Sequence, residues 1–525
     1  MQKNFLRRIV LTSVALTIAG GCLLFPRPIQ AKQLVVGIVQ EPRTLDPHFQ
    51  DLAANNAIAL HLFDALVRMD ENQKLHPGLA VSWRAVDPLT WEFKLRRGVL
   101  FHDGSQFTAE DVIFTVQRVS RVPHSPAPFT RYTRPISAME APAEDALIIR
   151  TSTPTPLLPA LLSRVMIMSR KATEGKSTQD LDGGNGLVGT GPYRISAWTP
   201  GKQLVVTRHE EYWEGMQPWE HVVFKEIRSE KLRIKALQQN SLQVIERLSP
   251  TSVNDLQKDR RIEVQTGASN RIIYLHLDSN RSISPYIRDV EDNPLQKSGV
   301  RQAISLAIDR NKIAQEVLDG MGVPTAQLAP KDGFGYVPEL QAERPDVRQA
   351  IRLLARAGYR HGFGITLHGP NNRFIHDESV VRAIAEMLNR IGLRVGSETM
   401  PKNVYFPKAR KNDFSLMLAG LQIQFDDPAQ AALQLLGTRK KASGFGTLNL
   451  GGYTNPALDS LLEKAMITVD PGAREQVTME LVSLGLKDYG IIPLYFEKNA
   501  WAARPPIKIT PRRDGMTLAM SIHPK

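Results

Sequence analysis

The strongest constraint on the fold is that short apolar strands alternate with amphipathic helices along most of the chain. Apolar runs or alternating apolar residues predict strands at 33–39, 91–95, 204–206, 222–227 and 491–496. Apolar residues at helical spacing predict helices at 54–68, 111–119, 349–357 and 379–391. This alternation is typical of an α/β fold. Because 525 residues exceed what one ordinary core holds, we expect two or three lobes.

The N-terminal segment has the features of an export signal. Three basic residues precede an uncharged, mostly apolar stretch at 9–25, and Ala31 ends a usable cleavage site. We therefore expect residues 1–31 to be a signal peptide and the mature protein to be periplasmic. A retained membrane anchor is the alternative, but an apolar run of about 17 residues is at the short limit for spanning a bilayer.

Cys22 is the only cysteine, which excludes an intrachain disulfide and a cysteine-based metal cluster. The sequence Ala19-Gly20-Gly21-Cys22 resembles a bacterial lipoprotein box, with alanine where leucine is usual. Lipid on Cys22 is therefore an alternative to cleavage after Ala31, which would remove the cysteine. Because no second long apolar run follows, we expect the mature protein to be soluble.

The formal net charge of +13 raises the possibility of nucleic-acid binding. However, the basic residues are scattered. The densest run, Arg439-Lys440-Lys441, is short and has no aromatic residues among the bases. A solvated basic surface explains this pattern better, so we expect no nucleic-acid partner.

The sequence lacks the common catalytic and nucleotide-binding motifs. GxSxG, HExxH and GxxxxGK[ST] do not occur, and His361 and His368 lack the spacing of a metal pair. The paired carboxylates Asp426 and Asp427 precede Pro428, which favours a turn or helix cap over acid–base catalysis. We therefore expect a binding protein without metal or cofactor, and not an enzyme; an exported hydrolase is the alternative of another class.

Several blocks of the sequence resemble one family in their order along the chain. These are LFDALVR (62–68), LHPGLAVSW (75–83), TWEFKLRRGVLFHDGSQFTAEDV (90–112), VGTGPY followed by EEYWEG (188–215), VRQAISLAIDR (300–310) and GGYTNPALDSLLEKA (451–465). They resemble the extracytoplasmic solute-binding proteins of ABC importers that bind oligopeptides, dipeptides and nickel chelates. The resemblance implies an α/β, two-lobed, type II periplasmic-binding-protein-like fold with an extra inserted subdomain.

The resemblance also implies boundaries and partners. The first lobe would comprise residues 32–62, 185–268 and 490–525, the inserted subdomain 63–184, and the second lobe 269–489. The glycines at 189–191 would form a turn where the chain returns to the first lobe, with Tyr212 and Trp213 packing there. We expect a monomer that closes on a peptide or peptide-like solute between its lobes and delivers it to the permease subunits of an ABC importer.

One loop departs from the pattern of the peptide binders. They often carry W-x-x-D-Y, whose aspartate pairs with the α-ammonium of the peptide, because a buried ammonium needs a fixed anion. In LAGLQIQFDDP (418–428), Leu421, Gln424 and Phe425 stand at the tryptophan, aspartate and tyrosine positions. Either Asp426 or Asp427 supplies the anion, or the solute is a metal chelate, an opine or another small amphoteric compound.

Two further positions are candidates for contact with the solute. Arg373 could bind a ligand carboxylate with its two-pronged guanidinium or form a salt bridge with Asp377. Glu41, after the first strand, could face the cleft or cap a helix. The predicted ligand-binding residues are Glu41, Asn372, Arg373, Gln422, Gln424, Phe425 and Asp426.

Overall fold

The computed structural model describes residues 33–440 and 444–525. The predicted signal peptide and lipoprotein box lie outside the described residues. Within the described part of the chain, no helix has the length and apolar character required to cross a membrane.

The described residues form mixed α/β structure. The strands are β1 (Gln33–Ile38), β2 (Val67–Met69), β3 (Leu75–Pro77), β4 (Ala80–Asp87), β5 (Thr90–Leu95), β6 (Ile136–Ala143), β7 (Ala146–Thr151), β8 (Tyr193–Thr199), β9 (Gln203–Arg208), β10 (His221–Glu226), β11 (Val244–Glu246), β12 (Glu263–Leu277), β13 (Ile287–Arg288), β14 (Gly322–Pro324), β15 (Gly364–Pro370), β16 (Arg394–Met400), β17 (Leu416–Gln422), β18 (Ile491–Ala503), β19 (Ile507–Ile509) and β20 (Ile522–Pro524).

The helices vary from one turn to 17 residues. They are α1 (Ala53–Leu62), α2 (Ala109–Val119), α3 (Thr130–Thr133), α4 (Leu158–Leu162), α5 (Arg170–Thr173), α6 (Thr178–Asp182), α7 (Glu230–Gln238), α8 (Pro250–Leu256), α9 (Ser298–Ala307), α10 (Arg310–Lys312), α11 (Val347–Arg356), α12 (Asp377–Asn389), α13 (Lys402–Arg410), α14 (Pro428–Leu435), α15 (Pro456–Ile467) and α16 (Pro471–Lys487).

Local signals explain where several helices begin. A capping box begins α2, with Thr108 and Asp111 exchanging side-chain and backbone hydrogen bonds. The Asn455 side chain accepts hydrogen bonds from two backbone N–H groups at the start of α15, and Pro456 occupies its first position.

A long mixed sheet organises the fold. Its strand order is β13-β15-β17-β12-β18-β11-β1-β10-β9-β8, with β16 beside β15 and β14 beside β18. The strands β1, β10 and β11 are parallel to one another, as are β15, β16 and β17. The sheet therefore has two halves, and only the antiparallel strands β12 and β18 run through both.

The register of β12 against β18 is interrupted between the two halves. Residues 263–268 of β12 pair with 503–498, and pairing resumes at Ile272 opposite Phe496 after a register shift. Residues 269–271 thus leave the β18 ladder. Asn270 instead exchanges two hydrogen bonds with Ile423, from the Ile423 N–H (2.8 Å) and from the Asn270 side-chain amide (3.0 Å).

Side chains on both faces of each half-sheet build separate cores. In the second half, Ile273 and Leu275 pack on one face while Ile272 and Tyr274 pack on the other. In the first half, Leu34 and Val36 share a core with Phe224, and Val35 packs with Ile245 on the opposite face. The period of two along these strands accounts for this division.

The residues between β3 and α6 contain a smaller antiparallel sheet, in the order β4-β5-β7-β6. Trp91, Phe93 and Leu95 alternate along β5 and are buried in a core of their own. β6 and β7 form an antiparallel hairpin within this sheet.

The predicted helix at 54–68 is wrong beyond Leu62. α1 ends there, and Phe63 has extended backbone angles. Ala65 and Leu66 accept backbone hydrogen bonds from residues 78–80, so this segment joins the smaller sheet region instead of continuing the helix. The apolar spacing that suggests a helix reflects burial of Ala65 and Leu66 in an irregular segment.

The turn at 189–191 packs directly against the end of α1. A Cβ on Gly191 would lie 2.5 Å from the backbone nitrogen of Phe63, so this position requires glycine. Nearby, the buried Asp64 accepts hydrogen bonds from Thr190 Oγ1 (3.0 Å), Tyr212 Oη (3.0 Å) and Trp213 Nε1 (2.9 Å). Tyr212 and Trp213 therefore contribute to this junction through Asp64.

Candidate functional site

The candidate site is the crevice where the two halves of the large sheet face each other. β1, β10 and β11 end toward it from one half, and β15 and β17 end toward it from the other, as their pairing with β12 and β18 requires. Carboxyl ends of parallel strands are the usual place for ligands in open α/β sheets. Most of the predicted site residues follow one of these strand ends.

Glu41 follows β1 in the first half. Its backbone N–H donates to Glu226 Oε2 (3.0 Å), and its own carboxylate accepts a hydrogen bond from the Gly201 N–H. The Glu41 Oε2 atom is buried without a partner in the described residues. The helix-cap alternative is wrong, since the next helix begins at Ala53 and has no side-chain cap. Glu41 instead connects neighbouring strand ends.

Asn372 and Arg373 follow β15 in the second half. The Asn372 side chain accepts a hydrogen bond from the Lys402 N–H (2.8 Å), which ties the loop to the start of α13. Asp377 binds the Arg373 backbone N–H (2.8 Å), so the contact between these two residues does not involve the guanidinium. Within the described residues the Arg373 guanidinium has no carboxylate partner and lies over the Phe374 ring, 5.4 Å from its centre.

A second arginine stands near Arg373. Arg271, on β12 where the register shifts, pairs with the buried Glu497 of β18 (Nη1 to Oε2, 3.3 Å). Loss of solvation and the positive charge of Arg271 lower the pKa of Arg373, while Glu497 acts in the opposite direction. Two guanidinium groups thus lie near one carboxylate, which pairs with Arg271, and an anion bound here would compensate the remaining positive charge.

Gln422 ends β17 beside this pair, and Gln424 lies on the loop that follows. Gln422 is directly opposite Arg271 in the β12–β17 ladder, and both glutamines are exposed. Their amides offer donors and acceptors without charge. Gln422 therefore joins Asn372 and Arg373 in one region of the crevice wall.

Phe425 and Asp426 turn away from this region. Both have left-handed backbone angles, with φ of 59° and 46°, which are costly for residues with a Cβ. The Phe425 ring packs into the core of the smaller sheet, with the Arg164 guanidinium 5.8 Å from the ring centre. The strained turn directs the Phe425 side chain toward the smaller sheet and the Asp426 side chain toward Arg513.

The Asp426 carboxylate already has a partner in the protein. Arg513 Nη1 lies 2.8 Å from its Oδ2 atom. Burial raises the pKa of Asp426 to about 6, against the opposing effect of Arg513. The neighbouring Asp427 caps α14 by accepting from the Gln430 N–H (2.8 Å) and pairs with Arg474 (2.7 Å). The turn-or-cap interpretation of the two carboxylates is thus confirmed for Asp427, and neither carboxylate is without a cationic partner.

Sequence reasoning missed Arg271, Glu497 and Arg513. A signal was present for Glu497, the only acidic residue within the apolar run that forms β18. Polar residues at 269–271 likewise interrupt the apolar pattern of β12. Nothing in the local sequence around Arg513 indicates its contact with Asp426, which is 87 residues away.

Comparison with known proteins places the chain among binding proteins. The family model described as "Bacterial extracellular solute-binding proteins, family 5 Middle" matches residues 74–443. The glutathione-binding protein GsiB of Salmonella choleraesuis is 25% identical over 496 residues, covering 92% of each chain. The periplasmic oligopeptide-binding protein OppA of Escherichia coli is 23% identical over 497 residues, covering 89% of this chain and 87% of OppA.

A solved structure has the same fold. HbpA2 from Haemophilus parasuis superposes with a TM-score of 0.80 and 21% sequence identity, covering 94% of this chain and 100% of HbpA2. The expected α/β, two-lobed type II fold is therefore confirmed.

Proposed function

Because the chain belongs to family 5 of the bacterial extracellular solute-binding proteins, we propose that its crevice binds a peptide or peptide-like solute through a free carboxylate. Family membership gives the chain its role as the substrate-binding component of an ABC importer, working with permease subunits. The observation that carries the proposal is the Arg373 guanidinium, which has no carboxylate partner within the described residues and stands near Arg271.

The carboxylate is the part of the solute for which the crevice provides a counter-charge. Arg271 and Arg373 together carry two positive charges, and Glu497 compensates one of them. A planar carboxylate can accept two parallel hydrogen bonds from a guanidinium. The relatives that bind glutathione and oligopeptides support this solute class, because both ligands carry carboxylates.

A solute without a free α-ammonium fits the rest of the loop better than an ordinary peptide does. Gln424 offers no charge, and Asp426 and Asp427 are paired with Arg513 and Arg474. This arrangement favours N-blocked or unusual peptides, and it also supports the alternative of an opine, a metal chelate or another small amphoteric solute.

The remaining expectations are part of the same proposal. The mature protein begins after Ala31 and is periplasmic; a start at a lipidated Cys22 is the alternative. It acts as a monomer. It binds without turnover, so it is not an enzyme. Hydrolysis of any member of a panel of chromogenic esters and peptides by the purified protein would contradict this part.

The experiment that tests the proposal starts from a thermal-shift screen of the mature protein against peptides, amino acids, opines and metal chelates. A ligand at 100 times its Kd should stabilise the protein by about 2.7 kcal/mol. For the best ligand, calorimetry then compares the free acid with its carboxamide. We expect the amide to bind at least about tenfold more weakly, since a hydrogen bond between charged groups contributes about 1.5–3 kcal/mol.

Arg373→Gln should reduce the affinity for the free acid by a similar factor and abolish its advantage over the amide. Arg382→Gln is the matched control, because Arg382 is exposed on α12 and pairs with Glu378 one turn earlier. Equal binding of acid and amide by the unmodified protein would contradict the proposed carboxylate site.

A further inference from the structure

An exposed patch on the second half of the large sheet combines apolar and basic side chains. It consists of Ile283 and Tyr286, on the loop between β12 and β13, and of Val404, Lys408 and Lys411, at α13. We call these five residues the basic patch. Ile283 is 76% exposed, and Tyr286 and Val404 are 41% and 43% exposed. Single exposed apolar residues need no explanation, but a group of them beside cations indicates an interaction surface.

The three residues at α13 lie on one face of the helix. Val404, Lys408 and Lys411 follow one another at intervals of four and three positions, the spacing that brings side chains to one side of a helix. The opposite side packs inward through the buried Tyr405 and Ala409. The face with the two lysines is therefore directed toward solvent.

The loop that carries Ile283 is fixed against the segment that follows α13. Arg281 Nη2 donates to the Phe414 carbonyl oxygen (3.3 Å), and the Ser284 hydroxyl donates to the Ser415 hydroxyl oxygen (2.7 Å). Ser284 is buried although its neighbour Ile283 is exposed. The loop is thus tied down on both sides of Ile283, so the exposure of this side chain is a property of the folded structure.

Between the loop and the end of α13 lies an open surface depression of about 510 Å³. Arg281, Lys408 and Lys411 line it together with one acidic residue, Asp413. Arg281 is already paired with Asp278 (Nε to Oδ2, 2.6 Å). Within residues 33–440 and 444–525, neither lysine has an ion-pair partner. The two lysines therefore leave an excess of positive charge at the depression.

The surroundings of His368 place the Lys408 charge beside the loop. The His368 ring packs against Tyr286, with 4.5 Å between the ring centres. Burial lowers the pKa of His368, with Lys408 acting in the same direction and Glu398 in the opposite one. The Lys408 ammonium thus lies near His368 and Tyr286, on the side of α13 that faces the loop.

We propose that the basic patch binds the surface of an anionic phospholipid bilayer. The phosphates of the headgroups complement Lys408 and Lys411, while Ile283 and Val404 enter the boundary between headgroups and acyl chains. The net charge of +13 adds a long-range attraction to such a surface. A flat partner suits the patch, because Ile283 and Val404 project beside the depression and do not line it. The inference does not depend on which solute the crevice binds.

The first test is sedimentation of the purified mature protein, residues 32–525, with vesicles. Phosphatidylcholine vesicles are compared with vesicles that also contain about 30% phosphatidylglycerol. We expect at least about tenfold tighter binding to the anionic vesicles at about 50 mM salt and its loss at about 500 mM, because salt screens exposed charges. Equal binding to both vesicles, or none to the anionic ones, would overturn the proposal.

A soluble phosphate ester separates the bilayer from a free ligand. Glycerol 3-phosphate at low millimolar concentration should not displace the protein from the anionic vesicles, because it offers no surface for Ile283. Displacement at that concentration would assign the depression to a soluble phosphate compound and would contradict binding to the bilayer.

Charge reversal at the two lysines locates the binding surface. The double variant Lys408→Glu, Lys411→Glu should bind anionic vesicles at least about 25-fold more weakly, since each lysine near such a surface contributes about fivefold. The control is Lys231→Glu with Lys235→Glu, which changes the net charge equally at exposed lysines one turn apart on α7. An equal loss in both variants would show that net charge alone is responsible. No loss in the first would give the patch another partner, such as an acidic protein surface, and either result overturns the proposal.

Ile283→Ser tests the apolar contact without a change of charge. We expect about threefold weaker binding to the anionic vesicles, because part of the burial of the side chain is lost. The control is Met216→Ser, at a side chain that is 68% exposed on the loop between β9 and β10. Thermal unfolding checks that both variants fold as the unmodified protein does. If Ile283→Ser binds as tightly as Met216→Ser, the proposed insertion into the bilayer is wrong.

Discussion

Single charged residues around the crevice differ in how completely they are paired. Arg271 pairs with Glu497, Arg373 has no carboxylate partner in the described residues, and Asp426 is buried against Arg513. A charge that is already paired costs less to keep buried and is less available to a ligand. The proposed site would therefore present positive charge to a solute, although its loop contains two aspartates.

Asp426→Asn tests this distribution of charge at one residue. We expect the affinity for the best solute to change by less than about twofold, because the Asp426 carboxylate pairs with Arg513 and not with the solute. Such a change is within the roughly 0.5 kcal/mol typical of a surface substitution. A loss of tenfold or more, measured by calorimetry, would show that Asp426 binds a cationic group of the solute.

The same variant has an expected effect on pH dependence. The pKa of Asp426 is about 6 in the folded state against 3.8 for an ordinary carboxyl, so the folded state binds the proton more tightly. This residue therefore makes the protein less stable as the pH rises from 4 to 6, by at most about 3 kcal/mol. Urea unfolding at several pH values should show a flatter profile for Asp426→Asn, and Asp255→Asn, at an exposed carboxyl paired with Lys258, should leave the profile unchanged.

At the scale of elements, the turn at 189–191 joins the smaller sheet region to the first half of the large sheet. The end of α1 approaches this turn so closely that side chains do not fit at Gly189 or Gly191. Asp64 connects the same elements by accepting three hydrogen bonds, and burial raises its pKa to about 6 while the three donors oppose the shift. Close backbone packing and a buried polar network thus define the junction together.

Gly191→Ala should therefore destabilise the protein by about 2–3 kcal/mol, because the added Cβ meets backbone atoms of Leu62 and Phe63 that cannot move independently. Gly183→Ala is the control, since its Cβ would have no neighbour closer than 3.4 Å. Denaturant unfolding measures both variants. Similar unfolding free energies for the two would contradict the close packing at this junction.

At the scale of the whole molecule, the two half-sheets are connected by β12 and β18, and the register of this pair changes at 269–271. Asn270 bonds there to the loop after β17, and its N–H donates to the Arg513 carbonyl oxygen (3.1 Å). A short irregular segment between two regular ladders can absorb a change in backbone angles while each half remains rigid. We propose that residues 269–271 are the hinge and that the lobe boundary expected between 268 and 269 lies there.

Closure around this hinge should be visible in solution. Small-angle scattering with a saturating, verified solute should give a smaller radius of gyration than without it. The carboxamide of the same solute, which we expect to bind weakly, serves as the control at equal concentration. A radius that does not change with the bound solute would contradict hinge closure on binding.

The sequence by itself determined several of the elements and the family. Strand and helix periodicity predicted β1, β5, α2, α12 and the start of β18, because these patterns reflect which face of an element is buried. Ordered blocks of residues identified the family, and with it the two-lobed fold. The replacement of the motif's aspartate by Gln424 was also visible in the sequence, because comparison with a motif requires no structure.

Only the tertiary structure decided how the candidate site is charged. The pairs Asp426–Arg513 and Arg271–Glu497 join residues that are 87 and 226 positions apart in the chain. Likewise, the segment after Leu62 leaves its helix because it bonds to residues 78–80. Periodicity reports burial within one element, whereas ion pairs and hydrogen bonds depend on which elements the fold places side by side.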